Sequence, residues 1–149
     1  MKVNSKIRYG LRTMIEIATT SEKDGILQKD IAKNQNISLK YLDPIILALK
    51  LKNLIFNSRG KGSGYILSRP AEEISMLEIY TAFEHINVVE CINNLSYCDR
   101  SSHDCKGCNF WNEFRINIHD MLANKSLAQV IRETHYECRD LIPTIETQN

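Results

Sequence analysis

From Lys6 to Thr20, apolar side chains fall at Ile7, Leu11, Met14, Ile15 and Ala18, a single stripe along one helix. Ser5 is placed to cap its start. Lys23-Asp24-Gly25 is turn chemistry, and Gln28 to Asn34 then predicts a short helix with Ile31 and Ala32 inward. Asn34-Gln35-Asn36 breaks that helix. Ser38 caps a longer one, whose inner face is Tyr41, Leu42, Ile45, Ile46 and Leu49. Two short runs suited to strands follow, Leu54 to Arg59 and Tyr65 to Leu67, with Gly60-Lys61-Gly62-Ser63-Gly64 between them to turn a hairpin. Beyond Pro70, residues 72–84 predict a helix carrying Ile74, Leu77, Ile79, Ala82 and Phe83. Residues 91–108 form a cysteine-bearing loop. Phe110, Trp111, Phe114, Ile118, Met121 and Leu122 then recur at helical spacing, with little chain left for them to pack against. Asn124 closes that helix, Ser126 caps a last short one, and the tail after Pro143 is polar.

Two helices joined by a short polar turn, then a basic glycine-rich hairpin, describe a helix-turn-helix with a wing. The expected fold is mainly α, with residues 1–70 forming the winged helix-turn-helix and residues 71–149 holding a linker helix, the cysteine loop and a long C-terminal helix. Pro44 falls beyond the first turn of the second helix of the motif, where it removes an amide. Either that helix kinks there or its regular part starts later than Ser38 suggests.

Charge sharpens this division. The net charge is +1, yet residues 1–70 carry 13 Lys and Arg against 5 Asp and Glu, and residues 71–149 carry 6 against 13. A basic half joined to an acidic half suits a polyanion-binding module attached to a part that stays off the polyanion. On the exposed tip of the second helix, Ser38, Lys40, Tyr41 and Asp43 are candidates for the major groove. Lysine donates to guanine, a carboxylate accepts from cytosine N4, and serine does either or binds phosphate. Arg59 in the wing suits a narrow minor groove, and Lys61 the phosphate backbone. Singly, each of these is an ordinary solvated side chain. Together, on one helix tip and the adjoining hairpin, they point to double-stranded DNA.

With 43% hydrophobic residues in 149, the chain can bury one core. No run approaches the ~18 consecutive apolar residues of a membrane span. The basic N-terminus also lacks the apolar run of a secretory signal, so a reducing cytoplasm is expected. In that compartment five cysteines read as thiolate ligands rather than as a disulfide framework. Cys91, Cys98, Cys105 and Cys108 lie within 18 residues, with gaps of six, six and two. Four soft donors at that density suit an iron–sulphur cluster (2Fe-2S or 4Fe-4S) or zinc, and spacing alone leaves both open. Cys138 stands apart as an ordinary helix residue. His103 is an alternative ligand to Cys108. Cys105-Lys106-Gly107-Cys108 lacks the strand–helix context of a thiol oxidoreductase, and no catalytic triad or phosphate loop occurs, so no enzyme is expected.

Three stretches, Ser5 to Arg12, Ile37 to Leu42 and Arg59 to Leu67, taken with the cysteine segment and Trp111, resemble the IscR/NsrR family of bacterial winged-helix transcription regulators. The resemblance runs from Met1 to about Thr134 and is nearest the IscR-like branch. It implies a homodimer held by crossed long helices, here about Asn109 to Asn124, acting on promoter DNA as repressor or activator. It also implies that affinity is tuned by an iron–sulphur cluster sensing iron, redox or nitric oxide status, or by another effector. Ser38, Tyr41 and Asp43 match its recognition-helix positions, Arg59 its wing arginine, and Cys91, Cys98 and Cys105 its cluster cysteines. Cys108 stands where the IscR-like branch has histidine. Each cysteine gap is also one residue longer than that branch's five, so its cluster type does not transfer.

Overall fold

The computed structural model describes residues 3–21, 24–59, 62–98 and 105–133. Along these the chain forms α1 (Ser5–Thr19), α2 (Gln28–Asn34), α3 (Leu39–Leu51), β1 (Ile55–Asn57), β2 (Tyr65–Leu67), α4 (Met76–Thr81), α5 (Glu90–Asn93), α6 (Cys108–Ala123) and α7 (Leu127–Arg132). Single 3-10 turns lie at Ala71–Glu73 and Leu95–Tyr97.

The helix-turn-helix is built by local caps. At the end of α2, Asn36 takes a left-handed conformation (φ 52°), its amide donates to the Lys33 carbonyl, and that of Ile37 donates to Ala32. This pair of bonds satisfies the last carbonyls and reverses the chain. Two residues on, Ser38 Oγ accepts from the Tyr41 amide at 3.1 Å and starts α3. Asn53 (φ 54°) ends α3 in the same way, its amide donating to Lys50 and that of Leu54 to Leu49, which turns the chain into β1. The α3 helix starts at Leu39 directly under its Ser38 cap and runs unbroken across Pro44, so its regular part does not start later than Ser38 suggests. The carbonyl deprived of a donor is that of Lys40, an exposed residue where water can replace the missing amide.

Antiparallel β1 and β2 pair Ile55 with Leu67 and Asn57 with Tyr65. An isolated antiparallel bridge from Ile26 to Tyr65 ties one further residue to the two-stranded hairpin, a pairing that alternation in the sequence did not reveal. The approach is close, because a Cβ on Gly64 would stand 2.3 Å from the Gly25 carbonyl carbon. Backbone cannot yield as a side chain can. Gly64→Ala is therefore expected to destabilise the protein by about 1–3 kcal/mol in denaturant unfolding. An unchanged midpoint would contradict this packing.

Three expectations are corrected. The cap of α1 is Asn4 rather than Ser5, its Oδ1 accepting from the Ile7 amide at 2.9 Å. The helix expected over 72–84 is divided: a 3-10 turn ends at Glu73, Ile74 is extended, and α4 starts only under a Ser75–Glu78 capping box. The cause is tertiary. The Leu127 amide donates to Ile74 and the Met76 amide to Lys125, so this stretch of backbone pairs with residues 125–127 instead of coiling. Third, the cysteine loop contains α5 and a 3-10 turn. Burial alone would raise the Glu78 carboxyl, but bonds from the Ser75 amide and hydroxyl, together with Arg69, outweigh it and hold the group below the ordinary glutamate value.

One buried cluster joins Met14, Ile31, Leu42, Leu49 and Leu54 to Ile74, Ile79 and Leu127. Helix α1 lies at its centre, packing against α3, α4, α7 and β2. No described helix is long and apolar enough to cross a membrane.

Candidate nucleic-acid interface and thiol segment

Ser38, Leu39, Lys40, Tyr41 and Asp43 are all exposed on the first turns of α3, Tyr41 among them although its spacing placed it on the inner face. Each has a different freedom. The Ser38 oxygen is already accepting the Tyr41 amide, which leaves its hydrogen for a phosphate oxygen. Lys40 extends into solvent. The Tyr41 ring meets Tyr9 edge to face, with centroids 5.6 Å apart, and Tyr9 in turn lies under the Arg12 guanidinium at 5.1 Å and near Arg8 at 6.0 Å. Stacking on the ring aligns these cations beside the recognition helix without neutralising them.

Asp43 is tethered. Its Oδ1 accepts from Gln28 Nε2 at 2.5 Å, and Gln28 Oε1 accepts from the Tyr65 hydroxyl at 3.2 Å. At the other end of α3, Lys50 Nζ donates to Asn57 Oδ1 at 3.2 Å and stands 5.9 Å from the Tyr65 ring. Arg59 pairs with Asp24 Oδ1 at 2.6 Å, and the Ser58 hydroxyl donates to the Asp24 carbonyl at 2.6 Å. With side chains 72% and 56% exposed, the ion pair is held weakly enough for a phosphate to displace it. Lys61 lies outside the described residues, as do His103 and Cys138.

Sequence reasoning missed Arg12, Asp24, Gln28, Lys50 and Asn57 as members of this surface. Spacing on α1 offered a signal for one: Arg8 and Arg12 are four residues apart and so share a face. The partners of Asp43 and Arg59 had none, being 15 and 35 residues away in the chain.

The four thiols lie on different elements of one segment. Cys91 is in α5, Cys98 follows the 3-10 turn, Cys105 precedes α6 and Cys108 is its first residue. All four are half-buried, and none is in a disulfide. The Cys108 amide donates to the Cys105 carbonyl at 3.1 Å, which turns the two cysteines about one another. Cysteines that are half-buried, outside any disulfide and this close in the chain have the donor chemistry for a thiophilic metal or cluster. Among the described residues, no three His, Cys, Asp or Glu side chains are grouped as a metal site. Residues 99–104, between Cys98 and Cys105, are outside that set.

Helix α6 buries none of its residues. Phe110, Trp111 and Phe114 cluster on it, with centroids 5.0–6.3 Å apart, and Ile116 and Met121 are also exposed.

A winged helix-turn-helix with a thiol segment leading into a bare aromatic helix is the arrangement that the family comparison then meets. Residues 3–133 match the family model described as "Rrf2: Iron-dependent Transcriptional regulator". The chain belongs to the Rrf2 family. It is similar to the HTH-type transcriptional regulator IscR of Serratia proteamaculans, 28% identical over 150 residues, which span 100% of this chain and 87% of that one. Among solved structures, Staphylococcus aureus CymR superposes with a TM-score of 0.67 at 30% identity, covering 90% of this chain and 98% of that one. The fold is also that of T. potens IscR, with a TM-score of 0.70 at 24% identity over 96% of this chain and 93% of the other. This Rrf2-family protein is thus an IscR-like transcription regulator of the DNA-binding winged-helix type, as the motifs indicated, and not an enzyme.

Proposed function

We propose that this regulator works as a cytoplasmic homodimer on partly palindromic promoter DNA, as repressor or activator, and that Cys91, Cys98, Cys105 and Cys108 hold an iron–sulphur cluster that sets its affinity. The observation that carries this reading is the position of the thiols: four half-buried donors on the segment that joins the core to exposed helix α6. Such a cluster, when bound, supplies a centre whose loss, oxidation or nitrosylation reports iron, redox or nitric oxide status.

Residues 1–70 carry the DNA contacts in this reading. Ser38, Lys40, Tyr41 and Asp43 enter the major groove, while Arg59 and Lys61 follow the wing to the minor groove and the backbone. Residues 71–149 carry the sensor. Shared ligation ties α5 and the turn after it to the N-terminal end of α6, where Cys108 is the first residue. The bare aromatic face of α6 is the surface on which a second copy closes, so where α6 sits governs the spacing of the two recognition helices.

The deciding measurement is iron, zinc and acid-labile sulphide per protomer, with an absorption spectrum, on protein purified without oxygen. Equal iron and sulphide with visible absorption is expected. Zinc without sulphide would overturn the cluster and leave a winged-helix regulator with a structural zinc clip.

A further inference from the structure

We infer that Gln28 and Tyr65 are positioning residues for base recognition: they lock the Asp43 carboxylate so that its second oxygen reads a base carrying an amino group. The inference rests on the reading of Asp43 as a base contact. It adds a relay to it, from the wing through α2 to the recognition helix.

The relay is anchored in backbone. Tyr65 exchanges two main-chain hydrogen bonds with Ile26, at 2.8 and 3.1 Å, and also pairs with Asn57 across the hairpin. Its ring is buried, so the hydroxyl is a fixed point. Gln28 is two residues past Ile26, at the first position of α2, which brings its side-chain amide to that hydroxyl. The orientation of the amide follows from chemistry. With Tyr65 donating to Oε1, the NH2 group faces Asp43, whereas a reversed amide would set two acceptors against each other. The carboxylate thus receives a directed donor at Oδ1, and Oδ2 has no hydrogen-bond partner among the described residues.

This has consequences for recognition. An untethered aspartate on a helix tip must give up rotamer freedom when it meets a base, and beside a polyanion it also carries an unfavourable charge. The Gln28 donor lessens both costs and aims the remaining oxygen. An oxygen that only accepts is satisfied by cytosine N4 or adenine N6, and it is repelled by guanine O6, thymine O4 and phosphate. The relay therefore acts on discrimination at one base pair rather than on the overall grip, which comes from Lys and Arg on phosphates. Since Tyr65 belongs to β2, the wing also holds the reading group of α3 in register.

The test is selection from a randomised duplex-DNA library with the intact protein. Affinities for the preferred duplex and all its single-base variants then follow for wild type, Asp43→Ala, Gln28→Ala and Tyr65→Phe. Gln28→Ala is expected to reduce preference at the same base pair that Asp43→Ala relaxes, by about three- to tenfold. The salt dependence should stay unchanged. Tyr65→Phe keeps the ring packing and removes only the hydroxyl, so it should move the same position in the same direction. If Asp43→Ala relaxes a position that neither Gln28→Ala nor Tyr65→Phe affects, the relay is overturned and the Asp43 reading stands. Equal weakening on every duplex would make the contacts structural only. Unchanged discrimination in Asp43→Ala would remove the base contact and the relay with it.

Discussion

A Cys91→Ala/Cys98→Ala/Cys105→Ala protein will purify without iron or acid-labile sulphide, and it will fold. The second half of this expectation follows from placement. None of the three side chains belongs to the buried cluster that Met14, Leu42, Ile79 and Leu127 define, so their truncation leaves that core intact. The first half follows from coordination number, because Cys108 alone cannot replace three lost thiolates. The functional consequence is the larger one. Anaerobically, affinity for natural operators should differ from that of the wild type by about fivefold or more, the lower end of ordinary coupling between two sites. If the variant bound every natural operator as the wild type does under those conditions, the thiols would have no sensory role. Circular dichroism on the same sample separates that result from misfolding.

Leu127→Ala is expected to lower stability by about 3 kcal/mol, although it sits in the last described helix. Leu127 is fully buried in the cluster, and α7 packs against α1 and against the 3-10 turn at Ala71–Glu73. A cavity opened there is lined from both halves of the sequence, which leaves little scope for collapse. With a typical domain stability of about 5–15 kcal/mol, such a loss is plainly visible in denaturant unfolding. The transition should remain single, because the N-terminal residues cannot close their core without Ile74, Ile79 and Leu127. A loss below about 1 kcal/mol would place α7 at the periphery. Two separate transitions would instead make residues 1–70 an independent folding unit.

Much of the architecture was legible because it is encoded over three or four residues. Asn36, Ser38 and Ser126 act through hydrogen bonds to neighbours in the chain, so the ends of α2, the start of α3 and the start of α7 follow from local chemistry. The wing was legible for a similar reason: glycine and serine between two short β-forming runs admit little but a hairpin. Density of thiols in 18 residues likewise marks a candidate metal-binding segment without any structure.

Where two local solutions compete, the sequence does not choose. Asn4 and Ser5 are both good caps, and it is the Asn4 side chain that reaches the Ile7 amide while its Nδ2 donates to Glu84, 80 residues away. The break before α4 was invisible because residues 74–76 carry a helical pattern, which pairing with residues 125–127 overrides.

By itself, then, the sequence determined the order of elements from α1 to the hairpin, the winged helix-turn-helix and the identity of the candidate DNA-reading and thiolate residues. Each of these is a matter of residue type at short spacing. Only the tertiary structure decided what those residues are bonded to: Asp43 to Gln28, Arg59 to Asp24, Ile26 to Tyr65, and α7 to the core beneath α1. Such pairings join residues 15 to more than 100 positions apart. They depend on how the packed helices orient their faces, a property of the assembled core that no short stretch of chain contains.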